Sequence, residues 1–143
     1  MLSHWVRAIL QATVYDVAIQ TPLEAAPKLT QRFANDIRFK REDLQPVKSF
    51  KLRGAYNRIS QLSPEQQAKG VICASAGNHA QGVAFSASRL NLTNIIVMPT
   101  TTPDIKVSAV KALGGNVVLF GDNCDQANRF AIKKAHAEGL TFV

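Results

Sequence analysis

Val71-Ile72-Cys73-Ala74-Ser75-Ala76-Gly77-Asn78-His79-Ala80-Gln81-Gly82-Val83 is the stretch that decides the fold. Four strand-forming residues run through small ones into a segment with Val83, Ala87 and Leu90 at helical spacing, as expected of a buried strand turning tightly into a helix. The pattern then repeats. Ile95 to Met98, Val117 to Phe120 and Leu140 to the end are further strand candidates, separated by helix-length segments. Thr102-Pro103 starts the second helix, whose buried face is Val107, Val110 and Leu113; Gly114 and Gly139 stand where the second and third helices should end in a left-handed residue. Strands joined by such crossovers lie parallel, with right-handed connections. The predicted class is α/β: a three-layer α/β/α arrangement over a parallel sheet, with ligands gathering at the carboxyl ends of the strands.

Upstream, Leu2, Trp5, Val6, Ile9 and Leu10 predict a short amphipathic helix, and Pro27 opens a second helix reaching Phe33. Ile37 to Lys40 alternates as a strand. Ser49 is the expected cap of a helix running to Leu62, with Leu52, Ala55, Tyr56, Ile59 and Leu62 on one face. Ser63 and Gln66 then form a capping box, with Pro64 at the first helical position.

With 46% hydrophobic and 19% charged residues in 143, the composition is that of a globular domain and excludes disorder and collagen. Two cysteines, Cys73 and Cys124, set no disulfide framework and read as buried apolar fillers; neither has metal-ligand spacing with His4, His79 or His136, so no metal site is expected. Trp5 is expected in the core or at a subunit contact. No secretory leader and no apolar run of about 18 residues is present, which predicts a reduced, cytoplasmic protein off the membrane. The last strand candidate stops at the final residue, and the chain is therefore expected to be the first part of a longer protein.

The net charge of +7 invites comparison with nucleic-acid binders. Most of the excess lies between Arg38 and Arg58, where seven basic residues face two acids. So short a stretch suits one phosphate or carboxylate at least as well as a polyanion, which needs a long track and usually stacking aromatics. No nucleic-acid partner is expected.

Two constellations can carry chemistry. At the turn from Ala74 to Gly82, backbone N–H groups at a helix N-terminus favour an anion, phosphate or carboxylate. Gly77 to Gly82 imitates the start of a P-loop, but Val83-Ala84 replaces the lysine and hydroxyl residue that nucleotide hydrolysis requires. Asn78 and His79 fit a turn amide and a capping imidazole as well as ligand contacts. The second is Lys40-Arg41-Glu42-Asp43-Leu44-Gln45-Pro46-Val47-Lys48-Ser49-Phe50-Lys51-Leu52-Arg53-Gly54-Ala55. Most lysines are solvated, but Lys51 falls in the first turn of a helix beside Phe50 and Leu52, a setting that favours a nucleophilic amine.

Together, the lysine run and Ser75-Ala76-Gly77-Asn78-His79-Ala80-Gln81-Gly82 resemble the threonine dehydratases (threonine ammonia-lyases), above all the biosynthetic bacterial type. The resemblance extends from Val14 and Thr21-Pro22-Leu23 through Ile96-Val97-Met98-Pro99 and Asp104-Ile105-Lys106 to Phe142-Val143. It implies a pyridoxal 5'-phosphate enzyme of fold type II, similar to the tryptophan synthase β chain. Residues 1–67 would be an incomplete N-terminal segment of the large cofactor domain, and residues 68–143 a smaller domain with four parallel strands. The resemblance assigns Lys51 as catalytic residue and covalent anchor of the cofactor. Phe50 would line the cofactor ring and Asn78 would bond its phenolic oxygen. Ser75, Ala76, Gly77 and His79 would take the substrate carboxylate. Lys48, often aromatic or histidine in relatives, precedes the helix and is expected to face solvent.

The implied reaction is the α,β-elimination of L-threonine to 2-oxobutanoate and ammonia, first step of isoleucine biosynthesis, with L-serine a possible second substrate and homo-oligomers the usual assembly. Because the family's phosphate-holding loop and pyridine-nitrogen partner fall beyond residue 143, the chain is expected to be a truncated, weakly active or inactive piece. Serine dehydratases and racemases share the general motif, and a non-catalytic anion-binding fragment is the alternative outside enzymes.

Overall fold

The structure, a computed structural model, describes residues 3–143. In chain order it contains α1 (His4–Gln11), β1 (Leu23–Ala25), α2 (Pro27–Phe33), β2 (Arg38–Lys40), α3 (Lys51–Ser60), α4 (Pro64–Lys69), β3 (Val71–Ala74), α5 (Asn78–Arg89), β4 (Asn94–Met98), α6 (Asp104–Ala112), β5 (Val117–Leu119), α7 (Cys124–Glu138) and β6 (Thr141–Phe142), with single 3-10 turns at Val14–Asp16 and Glu42–Leu44. Of the expected first helix, Leu2 lies outside the described residues.

The four later strands form one parallel sheet in the order β5-β4-β3-β6, in register Val71 to Asn94, Ile96 to Val117 and Val71 to Thr141. Alternation along the strands sends side chains to two cores. Val71, Cys73, Ile96 and Met98 meet α5 and α6, with Ala55, Ile59 and Leu62 from the α3 region joining that cluster. Ile72, Ile95 and Val97 meet Ala127, Ala131 and Ala135 of α7 on the opposite face. This is the three-layer α/β/α arrangement that the strand spacing predicts. Both expected terminal glycines adopt positive φ, 84° at Gly114 and 68° at Gly139. The Ser63–Gln66 capping box forms with both of its hydrogen bonds.

Four expectations need correction. Ser49 does not cap α3: Phe50 holds the cap position in right-handed helical geometry, and the Ser49 hydroxyl is buried without a hydrogen-bond partner. The helix ends at Ser60 rather than Leu62. Cys124 is exposed as the first residue of α7, one turn before the buried stripe of Ala127, Ala131 and Ala135 begins; Cys73 alone is a buried filler. Trp5 is 74% exposed, so it is not core; α1 buries none of its residues. The structure also adds a strand the sequence did not announce, β1, antiparallel to β2.

Candidate functional site

The site begins where β3 turns into α5. Gly77 caps α5 with no side-chain hydrogen bond, and the first bond back along the helix is Gln81 N–H to the Gly77 carbonyl. A helix start without a capping side chain leaves N–H groups of its first turn open to an anion. Ser75 steadies the approach, its Oγ accepting the Gly77 N–H at 3.3 Å. Asn78 is exposed, whereas Ser75, Ala76, Gly77 and His79 are half-buried.

Lys51 is the first residue of α3 and is exposed, its ammonium 5.1 Å from the centre of the Phe50 ring. What brings α3 to α5 is Gly82. A Cβ there would stand 3.2 Å from the carbonyl carbon and oxygen of Lys51 and 3.3 Å from Ala55 Cβ, so only glycine admits this approach without displacement. Between the two helix starts lies a cavity of about 370 Å³ lined by Phe50, Lys51, Gly54, Arg58 and His79 among others, within the range of small-ligand pockets. On its far wall His79 Nε2 is 3.1 Å from the Val143 carbonyl oxygen.

Of the expected site residues, Phe50, Lys51 and His79 therefore share one cavity, whereas Ser75, Ala76, Gly77 and Asn78 form the loop that leads into His79 and do not line it. Lys48 is exposed, as expected, in left-handed geometry at φ 57°. Gly54 and Arg58 were not singled out by sequence. Spacings of three and seven residues from Lys51 on one helix face would have found them.

The stretch of basic residues is less cationic than its sequence suggests. Arg38 pairs with Asp36, Arg41 with Glu24 and Asp43, and Arg53 with Glu42. Hydrogen bonds from the Arg53 guanidinium, and from Thr21 and Gln45, hold the Glu42 carboxyl down at about 2 against partial desolvation. Burial pushes the Cys73 thiol up to about 12, which leaves it inert. Among the described residues no cluster of histidine, cysteine, aspartate and glutamate could hold a metal, and no helix is long and apolar enough to cross a membrane.

A family model described as pyridoxal-phosphate dependent enzyme matches residues 14–143. Threonine dehydratase 1 biosynthetic, chloroplastic, of Solanum lycopersicum is 60% identical over 135 residues, covering 94% of this chain and 22% of that protein. L-threonine dehydratase biosynthetic IlvA of Escherichia coli strain K12 is 55% identical over 141 residues, covering 99% of this chain and 27% of that protein. Among solved structures, the processed form of threonine deaminase isoform 2 from Solanum lycopersicum superposes with a TM-score of 0.93 at 55% identity, covering 97% of this chain and 38% of that one. Maize serine racemase gives 0.89 at 28% identity, covering 96% and 43%. The chain thus spans about a quarter of the length of the curated relatives it matches.

Proposed function

Because the chain belongs to the pyridoxal-phosphate-dependent enzyme family, we propose that it carries the reactive lysine and the carboxylate-binding loop of a threonine dehydratase, which eliminates water from L-threonine and releases an enamine that takes up water again to give 2-oxobutanoate and ammonia. The observation that carries this reading is the cavity in which Lys51 of α3 meets His79 at the uncapped start of α5. The residues fit the cofactor and an amino-acid substrate: a primary amine for an aldehyde, an aromatic face at Phe50, and a helix start open to an anion.

Pyridoxal phosphate, when bound, supplies a conjugated ring that accepts the electron pair released at the substrate α-carbon. The protein's own share is positional and acid–base. Open N–H groups at the start of α5 bind the substrate carboxylate, and Ser75 keeps their approach in shape. That orients the α-hydrogen toward the Lys51 Nζ, which in its neutral form takes the proton. When the cofactor is bound, Phe50 would pack against its ring and Asn78 would bond its phenolic oxygen. Holding amine and α-hydrogen in contact can supply roughly 7–11 kcal/mol of the barrier reduction.

To the same proposal belong the division into a large-domain segment, residues 1–67, and a small domain, residues 68–143; turnover of serine beside threonine; homo-oligomeric assembly; a cytoplasmic setting; and the first step of isoleucine biosynthesis. The names of the bacterial and plant relatives support the biosynthetic role. The test is borohydride reduction after incubation with pyridoxal phosphate, followed by peptide mapping, with keto acid measured on threonine. An adduct concentrated on Lys51, and keto acid lost in Lys51→Ala, is expected. An adduct spread evenly over surface lysines overturns the assignment, and cofactor binding that survives Lys51→Ala favours a non-catalytic anion-binding module.

A further inference from the structure

Lys51 opens a helix that no side chain caps, and its own side chain is exposed, so the order of its backbone must come from elsewhere. The contacts around the first turn of α3 show where. Arg53 grips Glu42 with two parallel hydrogen bonds, Nε to Oε2 and Nη2 to Oε1, both 2.9 Å, and its Nη2 also donates to the Ile19 carbonyl at 3.2 Å. Glu42 Oε1 accepts from Thr21 Oγ1 at 2.6 Å. Gln45, wholly buried, closes the network: its Nε2 donates to the Ile19 carbonyl at 2.8 Å and its Oε1 accepts the Ile19 N–H at 3.0 Å. The Arg53 guanidinium lies 5.4 Å from the centre of the Tyr15 ring.

Two residues along a helix turn by about 200°, so Arg53 holds the side of α3 away from Lys51. On the other side the Lys51 backbone lies against α5 at Gly82. The first turn is therefore gripped from both sides, by a rigid charged fork and by a close backbone contact. We propose that Glu42 and Arg53, braced by Gln45, are positioning residues that set where the Lys51 amine stands relative to the start of α5. The inference deepens the lysine assignment above and rests on it. Neither residue lines the cavity, and both act through the backbone of α3.

Lys48 provides an internal reference, since it is exposed three residues earlier and outside the helix. The 143-residue chain and its Glu42→Gln, Arg53→Lys and Ile59→Val variants are each confirmed folded by circular dichroism, treated with pyridoxal phosphate and borohydride, and mapped for the ratio of Lys51 to Lys48 adduct. Ile59→Val weakens the buried face of α3 without touching the network. Misplacement of a reacting group by about 1 Å can cost up to about a hundredfold. The ratio is expected to fall at least about tenfold in Glu42→Gln and in Arg53→Lys, which keeps the charge but not the fork, and to hold in Ile59→Val. Amide exchange at position 53, whose N–H bonds the Phe50 carbonyl, should quicken in the first two alone. A parent chain that prefers Lys51, with a preference the Arg53→Lys or Glu42→Gln variant retains, overturns this inference and leaves the lysine assignment standing. A parent chain without preference overturns both.

Discussion

Two helical glycines near Lys51 offer a matched test of how tightly α3 and α5 are fitted. Replacing either by alanine should gain about 1 kcal/mol of helix propensity. At Gly54 nothing lies within 4 Å of the added methyl, so the gain should be realised in full. At Gly82 the methyl meets Lys51 backbone at 3.2 Å and Ala55 Cβ at 3.3 Å. Those atoms cannot swing aside as a long side chain would, because Leu52 is wholly buried next to them and Arg53 is tied to Glu42. Overpacking of this kind costs about 1–3 kcal/mol, which leaves Gly82→Ala with a net loss of about 1 kcal/mol. For a chain of this size that corresponds to about 4 °C, so Gly54→Ala should raise Tm by about 4 °C and Gly82→Ala lower it by about the same amount. Differential scanning calorimetry on the two variants and the parent decides it. Equal shifts in the same direction would refute the close fit, and with it the account of how Lys51 is brought to the start of α5.

Glu42→Gln should cost about 1.5–3 kcal/mol near neutral pH, the range for a hydrogen bond to a charged group. The Glu42 carboxyl is held at about 2 instead of 4.5, so its contribution is complete above the ordinary value and is lost as pH falls through the lower one. Urea unfolding of parent and variant should therefore converge in acid, and a gap that stays constant down to about pH 2 would contradict the pairing. Thiol labelling gives a separate check: Cys124 alone should react in the folded chain and both cysteines in denaturant, since Cys73 is buried and its thiol is pushed up to about 12. Two reactive thiols under native conditions would show that the sheet opens.

The parallel sheet was legible because its two central strands, β3 and β4, are buried on both faces. Val71 to Cys73 and Ile95 to Met98 have few polar residues to interrupt them, and the helices between carry helical spacing and proper stops at Gly114 and Gly139. β1 was not legible because it is three exposed residues long, too short for the alternation that marks Ile37 to Lys40 beside it to stand out. Ser49 misled because the sequence of a cap was present without its geometry; the chain enters α3 through left-handed Lys48 and helical Phe50, which turn the hydroxyl away from the helix. Lys51 and the loop before His79 were singled out by their motifs, but the Glu42–Arg53–Gln45 network was not. Its members reach Ile19 and Thr21, 21 to 34 residues distant in sequence, and contacts of that kind leave no local periodicity.

The bond between His79 and the end of the last strand constrains the imidazole in a way its exposure alone would not. The backbone oxygen of Val143 accepts and does not donate, so the ring nitrogen facing it carries the proton. The neutral ring is thus held in a single tautomer, and its remaining lone pair sits on Nδ1. Any proton the ring accepts must arrive there, on the side of the imidazole away from the sheet edge.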